Sequence, residues 1–136
     1  MAIRIDNISK SFGDTEVFRN FSLTLPDTGC VCLFGPSGSG KTTLLHLLCG
    51  LTAPDAGNVH APGCRFSIAF QEDRLLPWIS ALENIRLVLE GREFKGTRGA
   101  SLHWLEVLGI GDAADKLPGA LSGGMRQRVA LARAFA

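Results

Sequence analysis

Gly35-Pro36-Ser37-Gly38-Ser39-Gly40-Lys41-Thr42 decides how this chain folds. The stretch fits G-x-x-x-x-G-K-[ST] without deviation. Before it runs Cys30-Val31-Cys32-Leu33-Phe34, continuously apolar, as expected of a strand buried on both faces. After it, Thr42 to Cys49 is leucine-rich and closed by Gly50, which predicts a helix with a glycine stop. A strand, a glycine-rich loop and a helix in that order make a phosphate cradle. Glycines free the backbone so that successive N–H groups face an anion, and the helix adds its positive N-terminal end. In such a cradle Lys41 reaches the β- and γ-phosphates of a nucleotide and the Thr42 hydroxyl ligates Mg²⁺. Thr43 supplies a further contact near the α-phosphate. The loop alone does not separate a kinase, a GTPase and a transport ATPase.

Outward from the loop, the pattern is strands first and helices later, which indicates an α/β fold. Ile3, Ile5 and Ile8 among polar residues predict a half-buried first strand, and Ser11-Phe12-Gly13-Asp14 a turn. Phe21, Leu23 and Leu25 alternate with Ser22 and Thr24, which is strand periodicity. Pro54-Asp55-Ala56-Gly57 and Ala61-Pro62-Gly63 frame a short hairpin-like region, followed by a strand over Arg65–Phe70. From Glu72 the character turns to helix and loop. Ser80 caps a helix through Leu89, and Leu102, Leu105 and Leu108 recur at helical spacing before Gly109. Ser122 starts the last helix, with Met125, Val129 and Ala132 along one side. Arg86-Leu87-Val88-Leu89-Glu90 resembles an apolar strand ending in an acid, but it follows a helix cap and is read as helix.

Composition narrows the class further. A hydrophobic fraction of 46% against 20% charged reads as globular, not disordered. A net charge of +1 favours neither nucleic acid nor an acidic surface, and no nucleic-acid partner is expected. Cys30, Cys32, Cys49 and Cys64 lack zinc or redox spacing and are read as reduced packing residues. The N-terminus carries no apolar signal core, and no apolar run approaches the ~20 residues of a membrane span. His46, His60 and His103 are read as packing or surface residues. Arg126, Arg128 and Arg133 are read as a solvated basic face.

Four further features follow the loop's chemistry. Leu121-Ser122-Gly123-Gly124-Met125 sets a hydroxyl and two bare glycine amides at a helix N-terminus, a second anion trap or else a plain Ser-capped helix start. Gln71 ends an apolar run and opens the helical stretch; taken alone it is a loop glutamine. Phe12, in Ser11-Phe12-Gly13, is either a stacking platform or a core aromatic beside a turn. Gln71-Glu72-Asp73-Arg74-Leu75-Leu76-Pro77-Trp78 is followed by Leu82-Glu83-Asn84-Ile85.

Together, in this order, these residues resemble the nucleotide-binding domain of the ABC (ATP-binding cassette) ATPases. The Leu-Pro-Trp step resembles the ATPase subunits of nitrate, sulfonate and taurine importers. The resemblance implies a P-loop ATPase fold with an N-terminal β region and a helical subdomain. It divides the chain into an ATP-binding core at 1–71, a helical subdomain at 72–121 and the signature helix at 122–136. It implies ATP and Mg²⁺ as cofactors, with Gly35 to Thr43 on the phosphates, Phe12 on adenine, and Thr42 and Gln71 toward the metal, Gln71 also toward the attacking water. Leu121 to Met125, with Met125 where glutamine is more common, would close over the γ-phosphate held by a second ATP-binding subunit. Membrane-spanning permease subunits and a solute-binding protein complete the implied assembly, on the cytoplasmic face of the membrane. Trp78 is a docking anchor for a permease helix or a packing residue of the helical subdomain.

The resemblance also implies an apolar strand ending in Asp-Glu, and a switch histidine, after the signature helix. Neither occurs in these 136 residues. As a stand-alone chain the sequence is therefore expected to hydrolyse ATP negligibly and to expose a flat apolar edge beside the phosphate-loop strand. Two functions stay open: the ATPase subunit of an importer, and a truncated, non-hydrolysing nucleotide-binding module.

Overall fold

The structure, a computed structural model, describes residues 3–90 and 97–136. Strand β1 (Arg4–Phe12) and strand β2 (Thr15–Thr24) form an antiparallel hairpin, and strand β3 (Ala56–His60) pairs antiparallel with the other edge of β1. The sheet order is β2-β1-β3. Ile5 and Ile8 are both fully buried although three positions apart, where strict alternation would put them on opposite faces. A bulge resolves this. The register shifts between them, and Asn7 takes φ 49 with its N–H bonded to Ser22 Oγ at 2.9 Å. Opposite the bulge stands Gly57 at φ 81, where an added Cβ would collide with the Asn7 carbonyl.

Helix α1 (Lys41–Leu48) covers this sheet: Leu44, Leu47 and Leu48 pack with Ile5 and Ile8, and Phe18, Phe21, Leu23, Leu33 and Val59 close the cluster. Its last turn ends as Leu51 N–H bonds back to the His46 carbonyl at 2.9 Å. Met1–Phe66 forms one compact unit and Ser67–Ala136 a second.

The second unit is helical. Helix α2 (Ala81–Glu90), helix α3 (Thr97–Val107) and helix α4 (Gly123–Phe135) bury Leu82, Ile85, Leu89, Leu105, Val129 and Ala132 in one core. Ser80 Oγ accepts from Glu83 N–H at 3.2 Å, the expected cap. The apolar run at 86–90 belongs to α2, as the cap required. Short 3₁₀ turns at Gly111–Ala113 and Pro118–Ala120 lead into α4. Its far end is fixed by Trp104 stacking on Phe135, ring centroids 5.5 Å apart.

Four expectations need correction. Cys30–Phe34 belongs to no ladder and is not buried on both faces: Val31 is 48% exposed and Phe34 fully so. Only Leu33 reaches the core of its unit. An apolar run is buried only where flanking strands and layers cover it, and none of the described residues pairs with this one. Cys30 and Cys32 are accordingly exposed, not packed; Cys49 is partly covered, and burial pushes its thiol up. The stretch Arg65–Phe70 is likewise outside any ladder. The 54–63 region makes no hairpin of its own, since its one strand, β3, completes the sheet on β1.

Candidate functional site

In the N-terminal unit the phosphate loop folds as its glycines dictate. Gly40 is the N-cap of α1 at φ 84, and a Cβ there would lie 2.8 Å from Val17 Cγ1 and 3.0 Å from Phe18 Cζ. Glycine is therefore needed twice, for the backbone angle and for the close approach of the loop to β2. Lys41 Nζ donates to the carbonyls of Gly35 at 2.9 Å and Pro36 at 2.6 Å, and to Ser39 Oγ at 3.2 Å. The ammonium is thus held within the loop by its own backbone. A cleft of about 280 Å³ adjoins it, lined by Phe18, Phe21, Leu33 and Phe34 together with Gly35, Pro36, Ser39, Gly40 and Lys41. Ser37, Gly38 and Thr42 are exposed and Thr43 half-buried, so the hydroxyls stand at the mouth of α1.

Phe12 closes β1 opposite Thr15 and is 53% exposed, so it is no core aromatic. Two residues that the sequence did not mark stand behind it. Lys10 Nζ lies 5.3 Å from the centroid of the Phe12 ring and 2.6 Å from Asp55 Oδ1. Asp55 Oδ2 accepts from Ser11 N–H at 2.8 Å. The Lys10 ammonium, then the Ser11 amide, hold the Asp55 carboxyl below its ordinary value. The brace is therefore complete above the usual carboxylate pKa of about 3.9 and is lost as pH falls through the lower folded value.

In the helical unit, Gln71 is exposed and lines a groove of about 310 Å³ with Asp73, Gln127, Ala130 and Leu131. The segment after it is clamped to α4. Arg126 Nε donates to Asp73 Oδ2 at 2.9 Å, while Arg133 donates to the carbonyls of Asp73 at 2.8 Å and Arg74 at 2.9 Å. Burial lowers the Arg133 pKa, and the Asp73 charge opposes that. Arg74 turns through φ 46 and lays its guanidinium over Phe70 at 4.1 Å. Arg126 and Arg133 are therefore not a solvated face. Their planar forks satisfy one carboxylate and two carbonyls on the facing segment, and only Arg128 remains exposed as expected.

Ser122 caps α4, its Oγ accepting from Met125 N–H at 3.2 Å, with Gly123 and Gly124 exposed in the first turn. Leu121 is buried and accepts from Arg126 Nη1 at 2.8 Å. Trp78 is 71% exposed, so it does not pack inside the helical unit. The loop that presents it is tied by Asn84, fully buried. Its Oδ1 accepts from Leu76 N–H at 2.8 Å, and its Nδ2 faces the carbonyls of Leu76, Ile79 and Ser80 at 3.0–3.2 Å. The only sign of Asn84 in the sequence was an amide on the apolar face of α2, where burial demands partners.

The sequence profile of the ABC transporter family matches residues 18–136. An aliphatic sulfonates import ATP-binding protein of Nocardia farcinica is 46% identical over 99% of this chain and 54% of its own length. One from Pseudomonas fluorescens is 42% identical over 98% of this chain and 51% of its own. The chain thus spans about half the length of the curated relatives it matches. Among solved structures, a dimeric post-hydrolysis state of an ATP-binding cassette bound to ADP and Pi superposes with a TM-score of 0.87. It is 29% identical, over 98% of this chain and 69% of that one. The α/β architecture is therefore the ABC-ATPase fold, represented in part. This chain belongs to the ABC transporter family.

Proposed function

We propose that this chain is the nucleotide-holding part of an importer's ATP-binding subunit, which couples ATP binding and hydrolysis to solute transport through membrane-spanning partners. The observation that carries this reading is the presence of two anion traps in one chain. They are the loop Gly35 to Thr43 with Lys41 poised inside it, and the capped α4 start at Ser122 to Gly124. The relatives' names give aliphatic sulfonates as the solute class.

The residues have separate tasks. Loop amides and Lys41 bind the phosphates, since charge-assisted bonds to phosphate are the strong ones. Thr42 and Gln71 offer hard oxygen donors of the kind Mg²⁺ accepts. Mg²⁺, when bound, neutralises charge on the phosphate oxygens. Gln71 also faces the attacking water, and Phe12 takes the base. The signature residues Leu121 to Met125 close over nucleotide held by a second ATP-binding subunit. Trp78, exposed on its Asn84-tied loop, serves as the docking anchor for a permease subunit, and a solute-binding protein delivers cargo. No helix among the described residues is long and apolar enough to cross a membrane. In this proposal the link to the membrane runs through partners at the cytoplasmic face.

The phosphate loop can hold nucleotide whether or not hydrolysis follows, so binding and turnover are separate tests. Titration calorimetry with ATP and Mg²⁺, beside a phosphate-release assay, tests both. Binding weakened about 100-fold by Lys41→Ala supports the cradle, and no binding by the folded chain sinks it. Phosphate release at an enzyme-like rate, above about 1 s⁻¹, would show turnover as well as binding.

A further inference from the structure

The brace behind Phe12 has a function beyond stiffening a hairpin. We propose that Asp55 and Lys10 position the base platform. Asp55 pins the Lys10 ammonium over one face of the Phe12 ring, which leaves the other face to stack on the purine of a bound nucleotide. This rests on the phosphate loop and Phe12 acting as proposed above.

The placement argues for it. In the β1–β2 register Lys10 stands opposite Phe18 and Phe12 opposite Thr15. Phe18 and Val17 are the residues against which the phosphate-loop glycine Gly40 rests. The ring therefore stands at the tip of the same hairpin whose second strand supports the phosphate cradle. Lys10 is unusual for a lysine in a strand. Its side chain is only 13% exposed, while the Phe12 ring it covers is 53% exposed. A covered ammonium must be paired, and Asp55 supplies the pairing at 2.6 Å. The same carboxylate takes the amide of Ser11, the residue before Phe12, and the Asp55 N–H bonds back to the Ser9 carbonyl at 2.9 Å. Asp55 thus fixes both the backbone that carries the ring and the cation that sits on it.

The chemistry follows. A cation held on one face of an aromatic ring is attracted by its π-density and draws that density toward itself. The open face then suits an electron-rich base lying flat on it. A phenyl ring has no polar group with which to read a base edge, so it selects by stacked area. Purines gain more than pyrimidines, and adenine and guanine are treated alike.

Tripolyphosphate, which has the charge of the nucleotide tail and no base, separates the two layers. The test compares the affinities of the full chain for ATP, GTP, CTP and tripolyphosphate, for wild type and four variants. Lys10→Met keeps the aliphatic stem, Asp55→Asn keeps the acceptor for Ser11, Lys10→Arg keeps the cation, and Phe12→Ala removes the platform. Circular dichroism confirms that each is folded. The expected result is a loss of about fivefold to tenfold in ATP and GTP affinity for Lys10→Met and Asp55→Asn, a larger loss for Phe12→Ala, and retention in Lys10→Arg. Tripolyphosphate affinity is unchanged in all four, and CTP binds more weakly than ATP. If Phe12→Ala weakens ATP but Lys10→Met and Asp55→Asn do not, the brace is overturned while the base platform stands. A parallel loss of tripolyphosphate affinity would make Lys10 a phosphate contact, which also overturns it. If ATP binds no tighter than tripolyphosphate in wild type, or tripolyphosphate does not bind, the underlying reading of Phe12 or of the loop fails and takes the brace with it.

Discussion

The phosphate loop and the start of α4, proposed above as two anion traps, are held in opposite ways. Lys41 bonds to Gly35, Pro36 and Ser39, none more than six residues away. The α4 side is held from afar: Arg126 reaches Asp73 across 53 positions, and Arg133 reaches the Asp73 and Arg74 carbonyls across 60 and 59. A locally closed trap is set by the motif itself. A trap closed by distant contacts depends on the packing of a whole unit, so it can be shifted by whatever moves the segment carrying Gln71. The first kind suits a fixed binding cradle, and the second suits a part that must report on a neighbour.

The most forceful way to break the contrast is Asn84→Ala. The change removes a fully buried amide and strands the Leu76 N–H and several carbonyls in the helical unit. A stability loss of about 2–4 kcal/mol is expected in denaturant unfolding. Trp78 and Trp104 both lie in that unit and report the transition by fluorescence. A loss under about 1 kcal/mol would mean that water or rearranged backbone replaces the amide.

Lys41→Ala probes the local trap. It leaves the packing of Leu44, Leu47 and Leu48 untouched, so stability should change by less than about 0.5 kcal/mol. Affinity for ATP should fall about 100-fold, or about 2.8 kcal/mol, because a charge-assisted phosphate contact is lost. A protein that instead melts early would show that the lysine braces the empty loop more than it serves the ligand.

What could be read before the structure follows the same division. The loop from Gly35 to Thr43, the Ser80 and Ser122 caps and the glycine before α1 each rest on chemistry within a few positions, and each was legible. Phe12, Gln71 and Trp78 were legible as candidates, but their exposure was not. Lys10 and Asp55 carried no signal, and Asp73 and Asn84 stood in quoted stretches without a role, because their partners are fixed by register or helix packing, which no single stretch encodes. The run Cys30–Phe34 misled for the same reason. Hydrophobicity records what a segment needs to have covered, and the cover is supplied by other segments.

A double-mutant cycle on Asp73→Ala and Arg126→Ala measures the distant brace directly. The pair is half-buried, with side chains 29% and 38% exposed, so solvent screens part of the attraction. A coupling of about 1 kcal/mol is expected, falling as salt rises. Zero coupling would shift the ionic part of the hold to Arg133 and its two carbonyl contacts.

Ser122→Ala is the smallest change and sharpens the contrast most. Its hydroxyl is exposed and makes one local bond, to Met125 N–H, so the stability cost should be only about 0.5 kcal/mol. If the trap's geometry comes from the distant arginines, α4 stays seated. The first-turn amides of Gly124 and Met125 should then exchange with solvent only a few-fold faster. A large rise in their exchange, spreading to Val129 and Ala130, would mean that the cap seats the helix and the arginines follow. The α4 trap would then be locally closed like the phosphate loop, and the difference between the two traps would disappear.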